Sequence, residues 1–306
     1  MTVSTQRANE VLAYLEEYGE EKALAYFNTL NRETIERYKR RAKHRETRQP
    51  KILLLDVETA PMEVYVWGLY KQRISHRNVI NDWFMFSWAA RWLFSPTMQS
   101  DVLTPKEAVI GDDKRIMQSI WDLVNEADII IGHNVDRFDK RKLNTRFILN
   151  GFPPPLPYQT IDTLTIAQRQ FAFASNRLDY LGQLIRNRGK IETDFNLWIR
   201  CKSGDKDALT EMVTYNQEDV VLLEEVYLYL RPWIKSHPNV GVLMDAQELC
   251  CPNCGSFNIE MTGTYYTTPA NQYRAVRCGD CGAPNRLPQS IIGSEDRKRL
   301  IRSIAR

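Results

Sequence analysis

The chain has no apolar run approaching the roughly 20 residues that a bilayer-crossing helix requires, so a helical membrane span is excluded at the level of sequence. Its opening residues, MTVSTQRANE, lack the basic start and apolar core of a secretory signal. A cytoplasmic location is therefore expected. There is no internal repeat and no low-complexity tract. A strong charge imbalance is missing too: the net charge is only +3, so the average composition names no partner. Cysteines number only six. Where thiols stay reduced, clustered cysteines more often hold metal than form disulfides.

What is present is the composition of a globular protein, with 43% hydrophobic and 26% charged residues over 306 positions. That length suits two or three domains. Positive charge is concentrated rather than spread. Between Glu36 and Lys51 eight Lys or Arg face two Glu, and the last ten residues hold five Arg or Lys and no acid. Such segments attract phosphate by releasing its counterions, although a solvated linker and tail have the same composition. Breakers and cysteines place boundaries near Pro50 and near Pro238 to Gly241. The expected blocks are 1–48, 49–238, 245–290 and a basic tail, 291–306.

The first block reads as three helices: VLAYLEEYG, EEKALAYF and the basic NRETIERYKRRAKH, with Gly19 and Asn28 as breaks and Asn31 as an N-cap. The segment EYGEEKALAYFNTLNRETIERYKRRAK resembles the helix-turn-helix family of DNA-binding modules, whose second helix enters the major groove. That resemblance implies nucleic-acid contacts by Arg32, Glu33, Arg37, Lys39, Arg40 and Arg41. An amphipathic hairpin packed on its neighbours is the alternative. Ala23, Leu24, Phe27, Leu30, Ile35 and Tyr38 form a small core in either case.

The middle block alternates strand-like and helical runs, the pattern of an α/β domain. KILLLDVE is nearly continuous in apolar residues, as a central buried strand should be. Further strands are expected around EVYVWGL, WFMFSWAARWLF and DIIIGHN, and helices at DKRIMQSIWDLVNEA, FDKRKLNTRFILN, NRLDYLGQLIRN and DALTEMVTYNQEDVVLLEEVYLYL.

Asp56 and Glu58 close the KILLL run. Residues two apart on a strand share one side of the sheet, so the two carboxylates lie together and repel unless a cation joins them. Hard oxygen ligands suit Mg²⁺ or Mn²⁺. Asp139 follows the strand-like DIIIGHN run and begins a helix with Lys140, Arg141, Lys142 and Arg146, enough positive charge for a phosphate backbone. Asp136, three residues earlier, is the rival acid and reads as a turn or cap residue. Tyr215 and Asp219, four apart, occupy one helical face; a core tyrosine is the alternative for Tyr215. Phe138, Phe171, Phe173 and Trp198 are aromatic residues able to stack unpaired bases, or else core.

In this order DVET, GHNVDRFD and YNQED resemble the DEDD superfamily of 3′-to-5′ exonucleases, including DnaQ-like proteins and polymerase proofreading domains. The spacing from Asn134 to Phe138 is closest to family B polymerase exonuclease domains and YprB-like proteins. The resemblance implies a ribonuclease-H-like mixed sheet flanked by helices. It also implies metal ligands at Asp56, Glu58, Asp139 and Asp219, two Mg²⁺ or Mn²⁺ ions, and a water-positioning Tyr215. The histidine subtype needs His five residues before the last Asp, where Thr214 stands. Asn134, Arg141, Lys142 and Arg146, with Arg37 and Arg40 of the first block, are the expected nucleic-acid contacts. Asp162, in TIDTLTIAQ, is expected to support the site from behind.

Four cysteines form CPNCG and CGDCG, with 23 residues between Cys254 and Cys278. This is the spacing of a four-cysteine zinc ribbon, with Cys251, Cys254, Cys278 and Cys281 as ligands of one Zn²⁺. Cys250 breaks the two-residue gap, and isolated Cys201 reads as a buried thiol. The expected activity is metal-dependent 3′-to-5′ exonuclease cleavage of single-stranded nucleic acid, DNA favoured, with a polymerase or a replication or repair protein as candidate partner. The alternatives are a regulatory nucleic-acid-binding protein with an inactive nuclease-like domain, and a structure-specific endonuclease.

Overall fold

The computed structural model describes residues 3–27, 30, 32, 34, 35, 49–187 and 193–301. The basic helix expected after Asn31 lies mostly outside them, with Glu33, Arg37, Lys39, Arg40 and Arg41, as do residues 302–306 of the tail. The chain divides into two compact units, 51–230 and 1–50 with 231–306.

In the second of these, helices α1 (Val3–Tyr18) and α2 (Glu20–Tyr26) meet through aromatic rings: Tyr14 stacks on Tyr26 at 4.7 Å and meets the edge of Phe27 at 5.5 Å. Ala23 and Ile35 are fully buried.

Unit 51–230 is built on a five-stranded sheet. Its strands are β1 (Ile52–Thr59), β4 (Met85–Trp92), β5 (Gln99–Val102), β6 (Ile129–Gly132) and β7 (Gln159–Asp162), in the order β5-β4-β1-β6-β7. β1 is central, antiparallel to β4 and parallel to β6, which is parallel to β7. β1 is buried on both faces until its acidic end, which is why its sequence is an unbroken apolar run. Leu53, Leu55 and Val57 share one cluster with Phe86, Trp88, Met117 and Ile120. The mixed sheet carries α3 (Pro105–Ile110), α4 (Lys114–Glu126), α5 (Asp139–Leu149), α6 (Thr163–Gln170), α7 (Leu178–Arg186), α8 (Phe195–Lys202) and α9 (Lys206–Leu230). Among the described residues no helix is long and apolar enough to cross a membrane.

EVYVWGL is not a strand of this sheet: only Glu63–Val64 (β2) pairs, with Val79–Asn81 (β3), in a separate two-stranded ribbon. The residues that follow are exposed, because the β-branched and aromatic composition finds no second strand to lie against.

Helix α9 sets the geometry of the site, and polar ties fix its position along the sheet. Gln217 donates to Ser100 Oγ of β5 at 2.7 Å, Arg91 of β4 pairs with Glu224, and the Phe94 N–H donates to Glu224 Oε1 at 3.1 Å. A bare apolar contact would let the helix slide; directional bonds at several turns do not. Behind α5, fully buried Asp113 receives Arg146 through Nε (2.6 Å) and Nη2 (2.7 Å), the Met85 N–H and the Asn150 amide. The guanidinium of Arg146 is thus engaged in a two-pronged buried ion pair.

The other unit ends in a three-stranded sheet, order β10-β9-β8, of β8 (Ile259–Thr268), β9 (Asn271–Cys278) and β10 (Pro284–Ser290). α10 (Val240–Leu243) precedes it and α11 (Ser294–Lys298) follows.

Candidate active site

Asp56 and Glu58 lie on the same side of β1, and a register shift between Glu58 and Thr59 bends the strand there. Such irregularities re-aim side chains near strand ends. α9 covers this face and brings Asp219, 1% exposed, against them. One oxygen from each of Asp56, Glu58 and Asp219 lies within 4.8 Å of the others. Three carboxylates so close repel one another unless cations or protons intervene. An all-oxygen, partly buried set of this kind fits Mg²⁺ or Mn²⁺ rather than a soft metal.

Asp139 lies outside that group of three. It is buried at the first position of α5, where the helix dipole favours a carboxylate. The turn that delivers it is held from β7. Asn134 sits at φ 76°, and its N–H donates to Asp162 Oδ1 at 3.0 Å, which also accepts from the N–H groups of Leu164 (3.0 Å) and Thr165 (3.2 Å). Asp162 therefore caps α6 and ties the Asn134 turn with one oxygen. At Gly132 a Cβ would come 2.7 Å from Val135 Cβ, so the tight approach requires glycine there. The rival acid, Asp136, is exposed and accepts from Thr160 Oγ1 at 2.6 Å.

Tyr215 lies one turn before Asp219 on α9 and meets Trp198 edge-on at 6.2 Å. Between them on the helix stands Asn216, a residue that sequence reading passes over. It is fully buried; its amide donates to Asp56 Oδ2 at 2.5 Å and accepts from Ser87 Oγ at 3.1 Å. Asn216 thereby orients one of the three acids. Its only sequence signal is a place beside Tyr215 in YNQED.

Of the expected nucleic-acid contacts, Arg141 is exposed. Lys142 places its ammonium 3.6 Å from the centre of the Trp83 ring, and burial lowers its pKa. Arg146 is bound to Asp113 as described, and Arg37 and Arg40 fall outside the described residues. Phe171 stacks on Phe173 at 5.0 Å, and Phe138 is 38% exposed. Lys142, Trp83, Phe195 and Trp198 line a cavity of about 440 Å³, and Thr59, one residue past Glu58, lines it too.

In the other unit, one sulfur from each of Cys251, Cys254, Cys278 and Cys281 lies within 4.8 Å of the rest. Cys251–Cys281 and Cys254–Cys278 are each 3.6 Å apart, and no disulfide joins them. Four thiolates around one zinc, with bonds of about 2.3 Å, stand roughly 3.8 Å apart. The set therefore fits zinc. Both knuckles turn through a glycine at positive φ, Gly255 at 76° and Gly282 at 78°. Although burial opposes ionisation of Cys278, N–H groups of Cys281 and Asp280 and neighbouring thiols hold it at about 7. Cys250 is outside the cluster. Cys201, fully buried, has its thiol pushed up to about 12, chiefly by burial.

Residues 97–231 match the family model for the RNase H superfamily. The matched stretch contains Asp139, Tyr215 and Asp219 and begins after Asp56 and Glu58. Among solved structures, a family B DNA polymerase from the hyperthermophilic archaeon Pyrobaculum calidifontis is similar at 13% identity and a TM-score of 0.42, over 65% of this chain and 27% of that one. The chain thus spans about a quarter of that polymerase's length. No curated protein matches the chain. The central sheet, its strand order and the family match together identify residues 51–230 as a ribonuclease-H-like α/β domain.

Proposed function

We propose that the chain is a metal-dependent 3′-to-5′ exonuclease that shortens single-stranded nucleic acid, with DNA favoured. The observation that carries this reading is the convergence of Asp56, Glu58 and Asp219 from two elements distant in sequence into one group of oxygen ligands. The ribonuclease-H-like domain supports a nuclease, and the three motif segments supply the finer assignment by their resemblance to DEDD exonucleases.

In this reading Asp56, Glu58 and Asp219, with Asp139 as the fourth acid, hold two Mg²⁺ or Mn²⁺ ions. When bound, such a pair activates water and neutralises charge on the leaving 3′ oxygen. The protein's own groups position. The Tyr215 phenol, on the same face of α9 as Asp219, orients the attacking water by a hydrogen bond. Asn216 fixes the rotamer of Asp56, and Arg141 and Lys142 hold the backbone phosphates. Cys251, Cys254, Cys278 and Cys281 hold one structural zinc.

End-labelled single-stranded and duplex oligonucleotides incubated with Mg²⁺ test the proposal. A ladder that shortens from the 3′ end of the single strand supports it. Internal cuts would replace it with an endonuclease, and absence of Mg²⁺-dependent cleavage with a binding protein.

Replacing Asn216 by alanine removes this one donor to Asp56, and losses of about 10- to 100-fold in activity or metal affinity are usual when such supporting groups are removed. Asn216→Ala should therefore raise the Mg²⁺ concentration for half-maximal hydrolysis by that order, with much of the rate recovered at high Mg²⁺. A rate loss that no Mg²⁺ concentration relieves would assign Asn216 to folding alone.

A further inference from the structure

Between β2 and β3 the chain makes an excursion that the fold does not use. Trp67 is 100% exposed, and Tyr65 and Tyr70 are 73% and 79% exposed. These values leave no room for a core role. From Val64 to Asn81 the sequence VYVWGLYKQRISHRNVIN contains Lys71, Arg73 and Arg77 and no acid. The Lys71 ammonium lies 5.3 Å from the Tyr70 ring centre, so cation and ring are presented together.

The base of the excursion is anchored while its apex is bare. The Tyr65 N–H donates to the Asn78 carbonyl at 2.9 Å, and the Asn78 amide returns to the Tyr65 carbonyl at 3.3 Å. Glu63 is bridged at 2.8 Å by Lys202 of α8, the helix whose Trp198 meets Tyr215. The excursion thus leaves the end of β1 just beyond Asp56 and Glu58 and is pinned to an element of the same site. Large aromatic side chains held in water without a core partner mark a binding surface. The charge says which kind: three cations without an acid suit a polyanion, and rings exposed to solvent suit bases that are not already stacked on one another.

We infer that residues 65–77 form a single-strand clamp. Tyr65, Trp67 and Tyr70 stack unpaired bases, and Lys71, Arg73 and Arg77 face the phosphates of the strand leading away from the acidic group. The clamp deepens the nuclease reading and rests on it, since it supplies that site with a grip on the body of the substrate.

The test uses the full chain and a fluorescent oligothymidylate of about 16 nucleotides, long enough for a groove-and-stack site. Binding is followed by anisotropy without added divalent cation. Trp67→Ala with Tyr70→Ala should weaken binding at least tenfold, the order expected for losing about two stacked bases. Lys71→Gln with Arg73→Gln should lower the slope of log affinity against log salt by about 1.4, two single-strand phosphate contacts. Both variants should melt with the parent, because the changed side chains are exposed. Parental affinity in both variants would overturn the clamp, as would duplex binding equal to single strand. An effect confined to self-association in sedimentation would show a protein contact instead and sink it as well. Because binding is read without hydrolysis, an inactive parent that still loses affinity in these variants would remove the nuclease reading and leave the clamp standing. An active parent with unaffected variants would do the reverse.

Discussion

Asp56→Asn and Asp219→Asn should each remove Mg²⁺-dependent hydrolysis of a labelled single strand by on the order of 1,000-fold or more, about 4 kcal/mol of transition-state stabilisation, without lowering the melting temperature. The two halves of that expectation come from one geometry. One oxygen from each of Asp56, Glu58 and Asp219 lies within 4.8 Å of the others, so in the proposed site each acid would help to hold the same cations. Removing one charge leaves three of the four proposed acids, which would hold them less tightly. In the metal-free protein the same change relieves repulsion among like charges, and the amide that replaces the carboxylate keeps its shape. Stability and activity should therefore move apart. Single-turnover assays and thermal melts without added divalent cation measure the two. Hydrolysis surviving in Asp56→Asn refutes the site; activity and melting temperature falling together would mean that these acids serve the fold.

The parts of this arrangement that are readable in the sequence are those whose cause is local. A strand buried on both faces must be apolar at every position, so KILLLDVE reads directly as β1. The carboxylate pair at its end follows from the two-residue period of a strand. Edge strand β5, QSDV, has no such signal; it is a strand because β4 offers it hydrogen bonds. EVYVWGL fails in the opposite sense. Its composition suits a pleated surface, yet only two residues find a partner, and its rings, Tyr65 and Trp67, are 73% and 100% exposed. Side-chain partners across the fold are hidden for the same reason. Arg146 reads as one cation of a basic helix until the packing sets Asp113, 33 positions earlier, against it. Asn216 reaches Asp56 across 160 positions. That contact depends on the height and rotation of α9 over the sheet, which the ties to Ser100, Arg91 and Phe94 decide.

Removal of zinc should unfold the cysteine region rather than loosen it. The buried cluster there is Cys251, Cys278 and Ala283, with Cys254, Cys281 and Ile259 against it. Four of these six residues are the ligands themselves, and Val276 of β9 is buried as well. β8 is exposed along nearly its whole length, so little apolar area is available to offset the entropy of ordering three strands. In structural four-ligand sites the metal supplies this energy, about 10–16 kcal/mol in isolated zinc modules, which far exceeds what the remaining contacts offer. Without the metal, four sulfurs held within 4.8 Å of one another lose the bonds that justify their burial. Elemental analysis of the purified chain should find about one zinc per molecule, the stoichiometry of a four-thiolate site. Cys251→Ser with Cys278→Ser should abolish it, and backbone amides of β8, β9 and β10 should then exchange with solvent as an unfolded segment does. Substitution is preferable to a chelator, which would also remove the divalent ions proposed for the acidic group. Amide protection that persists in the double variant, or a parent chain that contains no zinc, would show that the four cysteines pack without a metal.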